Sequence, residues 1–177
     1  MTRPFYPTNT WDEILPGLFQ GGTDENDELG ATHISGERTL RSWEIQDLIT
    51  AIQVKAHEFD TVVTAYVHAN PCGQNVKEMR FTFFDGNMND FHPENDLFWL
   101  VREAHQDWKA GKRVLIRCQA GLNRSGLIMA LVLIREGYTP DEAIELIREK
   151  RCEAALCNDR FVSYLKHQAD VEFWRKG

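Results

Sequence analysis

Cys118 and Arg124 stand six positions apart in the segment VLIRCQAGLNRSGLIMALVLI, residues 114–134. A cysteine thiolate is a nucleophile, and an arginine guanidinium presents a planar fork of N–H donors that fits phosphate oxygens. A thiolate that attacks phosphorus in line forms a phosphocysteine, while the guanidinium pairs with two equatorial oxygens. Ser125 adds a hydroxyl that can hydrogen-bond the sulfur and help it leave in a second step. The three residues define a candidate site for phosphoryl transfer.

The residues around these side chains predict a buried strand, a short loop and a buried helix. VLIR (114–117) is short and apolar, which is typical of a buried parallel strand, and SGLIMALVLI (125–134) is apolar all round, which is typical of a central helix. The predicted phosphate-binding loop between them consists of Gln119, Ala120, Gly121, Leu122, Asn123 and Arg124. Such a loop turns its backbone N–H groups inward, and the helix adds the positive end of its dipole. The same field stabilises a thiolate at Cys118, and Gly121 and Gly126 let the backbone turn and approach closely.

The spacing C-x5-R alone is a weak signal, because a chain with four cysteines can meet it by chance. The alternative is a buried structural cysteine beside an arginine that caps a helix. The context favours the catalytic interpretation, since a predicted buried strand precedes the loop, two glycines accompany it and a predicted buried helix follows.

CQAGLNRSG (118–126) matches the C-x5-R-[S/T] signature of protein tyrosine phosphatases, and the chain as a whole resembles a compact dual-specificity phosphatase. The resemblance extends from ILPGLFQGG (14–22) to LCNDRFVSYL (156–165). It implies an α/β fold with a central, mostly parallel sheet flanked by helices on both faces, and neither a metal nor a cofactor. One position departs from the family pattern: Arg117 stands where the family usually has His, so it supplies charge without the same hydrogen-bond geometry.

The resemblance also implies a general acid, an Asp on a loop roughly thirty residues before the nucleophile. Asp85 follows the predicted strand MRFTFF (79–84) and lies 33 positions before Cys118, so we predict that it protonates the leaving group and later activates water. Asp90, 28 positions before the cysteine, is the alternative, and Asp96 is predicted at a helix start. A helix cap or a surface charge is the competing interpretation for each.

Hydrophobic periodicity and turn residues predict the remaining elements. A strand or hairpin is expected at 14–22, a polar loop at 23–41, strands at 59–67 and 79–84, and helices at 42–57, 93–110, from Thr139 onward and at 158–174. Thr139-Pro140-Asp141-Glu142 predicts a helix start, with Thr as N-cap and Glu closing a capping box. Alternating strands and helices indicate an α/β layer fold.

The composition is that of one globular domain, which we expect to span residues 1–177. The formal net charge of −7 argues against nucleic acid or an anionic membrane as partner. No apolar run is long enough to cross a membrane, and we expect a cytoplasmic protein. The histidines and cysteines lack the spacing of a metal site.

Three other functions stay open at this point. Gly121-Leu122-Asn123-Arg124 resembles the loop of RNA 5′-triphosphatases, although the acidic balance and Asp85 favour a phosphoprotein, most of all phosphotyrosine, as substrate. A phosphoinositide phosphatase is expected to carry lysines in the phosphate loop, whereas Gln119, Leu122 and Asn123 are uncharged, which argues against that alternative. A binding module that keeps the phosphate-binding loop without turnover is the remaining alternative, and Arg117 is the one feature that favours it.

The other singled-out residues are expected to have no catalytic role. We expect Cys72 to be a bystander, Cys152 and Cys157 to be packing residues, Asn158 to support a loop, Phe161 to lie in the core and Arg160 to face solvent.

Overall fold

A computed structural model describes residues 3–23, 58–72 and 75–176. Its sheet has five strands in the order β1-β2-β5-β3-β4. The strands are β1 (Trp11–Leu15), β2 (Leu18–Gly21), β3 (Thr61–Thr64), β4 (Lys77–Arg80) and β5 (Val114–Arg117). β1 and β2 pair as an antiparallel hairpin, and the other pairs are parallel. The predicted helix at 42–57 and nearly all of the predicted loop at 23–41 lie outside the described residues.

Three predicted strand segments differ in their bounds. The hairpin predicted at 14–22 begins earlier, at Trp11, and ends at Gly21. β3 is four residues long instead of the predicted nine at 59–67, and β4 ends at Arg80 instead of running to Phe84. After Arg80, Phe83 is buried in the core and Phe81 packs against it, whereas Phe84 is exposed. The rings of Phe83 and Phe91 lie 4.5 Å apart. Burial of these rings against helices competes with strand pairing, which is why apolar character alone placed the strand too late.

Six α-helices follow β4 in the described part of the chain. They are α1 (Pro93–Asp96), α2 (Phe98–Lys109), α3 (Arg124–Glu136), α4 (Pro140–Lys150), α5 (Asp159–His167) and α6 (Val171–Arg175), and a 3-10 helix (Met88–Asp90) precedes α1. The prediction of one helix at 93–110 was wrong in one respect, because Leu97 closes α1 before α2 begins. The prediction of one helix at 158–174 was wrong likewise, since the side chain of Asp170 caps a new helix at the N–H groups of Glu172 and Phe173.

The sheet presents two apolar faces, because side chains alternate along each strand. Val63 and Ile116 belong to the main core, which includes the buried sides of α2, α3 and α4. Val62 and Leu115 point the other way, into a second buried cluster with Phe19 and Phe59. The predicted architecture, a mostly parallel sheet flanked by helices, is confirmed.

Helix α3 lies at the centre of the molecule. All ten residues from 125 to 134 are buried, as their unbroken apolar sequence predicted. Burial of each large aliphatic side chain stabilises the fold by about 1.5–3 kcal/mol, so α3 is anchored along its whole length. Its first residue, Arg124, therefore stays fixed beside the carboxyl end of β5. No helix among the described residues is long and apolar enough to cross a membrane.

Candidate active site

Cys118 follows directly after the last residue of β5 and is only 2% exposed. Its N–H donates to Gly21 O at 3.1 Å, which continues the parallel pairing of β2 and β5 into the loop. Its Sγ lies 3.3 Å from Ser125 Oγ, within hydrogen-bond distance for sulfur. The structure thus brings together the predicted nucleophile and the hydroxyl predicted to assist its departure.

The carbonyl groups of the loop from 119 to 122 accept hydrogen bonds from donors on surrounding elements. Gln119 O accepts from Thr23 N at 2.9 Å, and Leu122 O accepts from Leu156 N at 3.1 Å. Gly121 O accepts twice, from Gln20 Nε2 at 3.1 Å and from Arg151 Nε at 3.2 Å. Because these carbonyls bond outward, the loop can direct its N–H groups toward a common centre, as an anion site requires.

Gly121 occupies a position that no other residue type fits. Its φ is +69°, and a Cβ built on it would lie 2.5 Å from Gly21 C and 2.6 Å from Arg151 Nη2. Both the left-handed backbone and the close approach of strand β2 therefore require glycine. The prediction that Gly121 lets the loop turn is confirmed.

Arg151 is a residue that sequence reasoning missed, because it was assigned to the basic end of a helix. It is buried, with 4% exposure, and its Nη1 bonds Asp12 Oδ2 at 2.6 Å and Asn9 O at 2.8 Å. Its Nη2 donates to Thr10 O at 3.1 Å. The guanidinium thus ties the N-terminal segment to the back of the phosphate loop. No local signal distinguishes it from neighbouring surface arginines.

Arg124 is the first residue of α3, and its guanidinium carbon lies 5.3 Å from the centre of the Tyr66 ring. Its Nε is buried and has no hydrogen-bond partner among the described residues. Arg124 also lines a cavity of about 290 Å³, whose walls are otherwise Val67, Thr82, Phe83 and Phe84. A cation with a vacant donor beside an apolar cavity suits an anion that carries an apolar group.

Asp85 lies next to the phosphate loop. Its Oδ2 accepts from Asn123 Nδ2 at 2.9 Å, and its Oδ1 accepts from Asn158 Nδ2 at 2.8 Å. The alternatives are placed differently: Asp90 ends the 3-10 helix, and Asp96 Oδ2 accepts from the N–H of His92, in the manner of a helix start. The geometry therefore favours Asp85 as the candidate acid.

Arg117 directs its buried side chain into a polar network on the β3–β4 side of the sheet. Its Nε donates to Thr64 Oγ1 at 3.1 Å, its Nη2 donates to Asn70 O at 2.6 Å, and the same nitrogen lies 3.5 Å from Glu78 Oε1. Burial raises the pKa of the neighbouring Cys72 thiol to about 12. Arg117 thus ties the end of β5, just before the phosphate loop, to β3 and β4.

The supporting residues fall largely where the sequence placed them. Cys152 and Phe161 are buried, Arg160 is exposed, and the Asn158 side chain accepts from the N–H groups that begin α5. The prediction that Cys157 is a packing residue was wrong, because Cys157 is exposed. Among the described residues, no group of three or more His, Cys, Asp and Glu side chains could hold a metal ion.

Comparison with known proteins identifies the family. Residues 45–170, well over half of the chain, match the model of the dual specificity phosphatase catalytic domain. The chain therefore belongs to the dual specificity phosphatase family, within the protein tyrosine phosphatases. The predicted relationship is confirmed.

Two curated relatives match about half of this chain. A probable protein tyrosine phosphatase type IVA B of Dictyostelium discoideum is 34% identical over 98 residues, which are 52% of this chain and 56% of the relative. The PRL-1 phosphatase of Drosophila melanogaster is 31% identical over 94 residues, 53% of this chain and 51% of its own. The chain thus spans about half the length of these relatives.

Solved structures share the fold over nearly the whole chain. Tk-PTP in its active form superposes with a TM-score of 0.62 at 19% identity, covering 92% of this chain and 99% of its own. Human DUSP28 superposes with a TM-score of 0.59 at 20% identity, covering 91% and 93%. These likenesses place the sheet and helices described above in the cysteine-based phosphatase fold.

Proposed function

We propose that this chain hydrolyses phosphomonoesters in proteins by a cysteine mechanism, with Cys118 as nucleophile and Arg124 as the residue that holds the phosphate. The observation that carries the proposal is the loop itself. Its carbonyls bond outward to β2, to Arg151 and to the turn before α5, while Cys118 Sγ sits against Ser125 Oγ at its base. Membership of the dual specificity phosphatase family supports the same chemistry.

The proposed reaction has two displacements at phosphorus. The Cys118 thiolate forms an S–P bond as the P–O bond to the leaving group breaks, and Asp85 gives its proton to the departing oxygen. The Asp85 carboxylate then takes a proton from water, whose oxygen attacks phosphorus and breaks the S–P bond. Ser125 donates a hydrogen bond to the sulfur as it leaves. Inorganic phosphate departs and the thiolate is restored.

Phosphotyrosine is the substrate that the surroundings of Arg124 favour. The cavity beside it has the exposed side chains of Val67 and Phe84, which are 60% and 78% exposed, on its walls. Such apolar surface suits an aryl ring that carries the phosphate, through edge or stacked contacts. Phosphoserine and phosphothreonine are the second substrate class in this proposal. We expect them to be hydrolysed less efficiently than phosphotyrosine, because they carry no ring to occupy the cavity.

The cellular setting follows from the chemistry of the nucleophile. All four cysteines are free in the structure, and the proposed reaction requires a reduced thiol at Cys118. We therefore place the protein in a reducing compartment such as the cytoplasm.

The test is hydrolysis of p-nitrophenyl phosphate against pH, with a metal chelator present, for the wild type and for Cys118→Ser. We expect a bell-shaped profile for the wild type and no turnover for the variant. Folded wild-type protein that binds vanadate without turnover would instead identify a phosphate-binding module. Faster release of phosphate from 5′-triphosphorylated RNA than from a phosphotyrosine peptide would point to the RNA 5′-triphosphatase alternative.

A further inference from the structure

Asp85, Asn123 and Asn158 form a closed triangle of hydrogen bonds beside the phosphate loop. Asn123 and Asn158 each donate an amide N–H to a different oxygen of Asp85, at 2.9 Å and 2.8 Å. The backbone N–H of Asn158 donates in turn to Asn123 Oδ1 at 2.9 Å. The candidate acid is therefore bonded both to the phosphate loop and to the start of α5.

Asn123 makes these bonds instead of capping its own helix. It stands at the N-cap of α3, where asparagine usually bonds a backbone N–H of the first turn, yet its side chain makes no such bond. Its backbone is helical, with φ −97° and ψ −60°, in place of the extended conformation common at N-caps. Local rules of this kind are broken most often at functional sites.

We propose that Asn123 and Asn158 are positioning residues for Asp85, which hold its carboxyl group over the phosphate loop and so govern protonation of the leaving group. The inference rests on the proposed function, since it assumes that Asp85 is the general acid. Bonds to both carboxylate oxygens fix the direction in which the group faces, and a displacement of about 1 Å at a reacting group can cost about a hundredfold in rate. Two elements distant in sequence are thus required to place one carboxyl group.

The test compares kcat/KM for phenyl phosphate, whose leaving group needs a proton, with kcat/KM for p-nitrophenyl phosphate, whose leaving group does not. In Asn123→Ser the new side chain is too short to reach Asp85. We expect the variant to lower kcat/KM for phenyl phosphate about tenfold more than kcat/KM for p-nitrophenyl phosphate. Asn158→Ser keeps a good N-cap for α5 and loses the amide donor, so it should give the same pattern with the helix intact.

A double-mutant cycle separates positioning from a structural role. If Asn158 acts through Asp85, Asn158→Ser should cause no further loss of kcat/KM for phenyl phosphate in an Asp85→Ala background. Asn87→Ser, at an exposed asparagine on the same loop, is the matched control and should match the wild type on both substrates.

Two results would overturn the inference: equal losses on both substrates, or a further loss when Asp85 is already alanine. Its failure is distinct from failure of the proposed function. Turnover of p-nitrophenyl phosphate that depends on Cys118 would uphold the cysteine mechanism even if neither asparagine showed the selective effect.

Discussion

Arg151 and Gly121 lie thirty positions apart and meet through one hydrogen bond, from Arg151 Nε to Gly121 O at 3.2 Å. The same guanidinium bonds Asp12 and two backbone carbonyls of the N-terminal segment. A single buried cation therefore orients a carbonyl of the phosphate loop and fastens the N-terminal segment behind it. Substitution of Arg151 should therefore lower both the stability of the fold and the activity of the proposed site.

Arg151→Met should lower the free energy of unfolding by about 3 kcal/mol, because it leaves the half-buried Asp12 carboxylate without its partner and removes hydrogen bonds to the carbonyls of Asn9, Thr10 and Gly121. It should also weaken inhibition by vanadate, since Gly121 O loses one of the two donors that hold it. Denaturant unfolding and vanadate titration measure the two effects. Arg160→Met, at an exposed arginine, is the control, and an equal effect there would contradict the role of Arg151.

Gly121→Ala should abolish turnover and destabilise the fold, because the new methyl group would lie 2.5 Å from backbone of Gly21. Gly111→Ala is the matched control: its φ of +85° is also left-handed, but nothing lies within 4 Å of the added Cβ. Gly111→Ala should lower the free energy of unfolding only by the backbone strain, about 1–2 kcal/mol, and should keep wild-type activity. Similar losses of melting temperature and activity in both variants would mean that the close approach is unimportant.

Stability should fall at acid pH in a way that depends on Glu78. Burial opposes its charged form, but hydrogen bonds from Cys72 N–H, Thr64 and Arg80 outweigh burial and hold the Glu78 pKa below its ordinary value. A lowered pKa in the folded state means that this stabilisation is present above the unfolded pKa and is lost as pH falls through the folded one.

The measurement is the melting temperature between pH 7 and pH 3 for the wild type and Glu78→Gln. The variant should be less stable at pH 7 and should lose less stability on acidification. Glu153→Gln, at an exposed glutamate, should follow the wild-type curve. Parallel curves for the wild type and Glu78→Gln would refute the assignment.

Cys72 should be inert toward alkylation at pH 8. Burial raises the pKa of its thiol to about 12, so almost none of it is thiolate at that pH. Peptide mapping after brief iodoacetamide treatment should find Cys72 unmodified, and Cys72→Ser should keep wild-type turnover. Rapid labelling of Cys72, or loss of activity in the variant, would show that it is more than a bystander.

Features with a local cause were predictable from the sequence. The capping box is present as predicted, with Glu142 N donating to Thr139 Oγ1 at 3.2 Å and Thr139 N donating to Glu142 Oε2 at 2.8 Å. The strand at 114–117 and the buried helix after it also lie where their apolar runs placed them. In each case the residues that decide the structure are neighbours in the sequence.

Features with a distant cause were not predictable. Arg151 has its partners near residue 10, and the triangle around Asp85 joins three separate segments, so no pattern within one segment reveals either. The break at Leu97 and the early end of β4 depend on packing against other elements. Tertiary contacts override local preference at these positions.

The bond between Arg151 and the carbonyl of Asn9 spans 142 positions of the chain. Contacts between segments so far apart form only after the intervening chain has closed its loops, which makes them slow to appear during folding. The back of the phosphate loop is therefore completed late, after the hairpin and α4 have come together. A nascent chain from which Arg151 has not yet emerged would hold Cys118 in an unfinished phosphate loop, so the thiol gains its proposed function only after α4 and Arg151 have been synthesised.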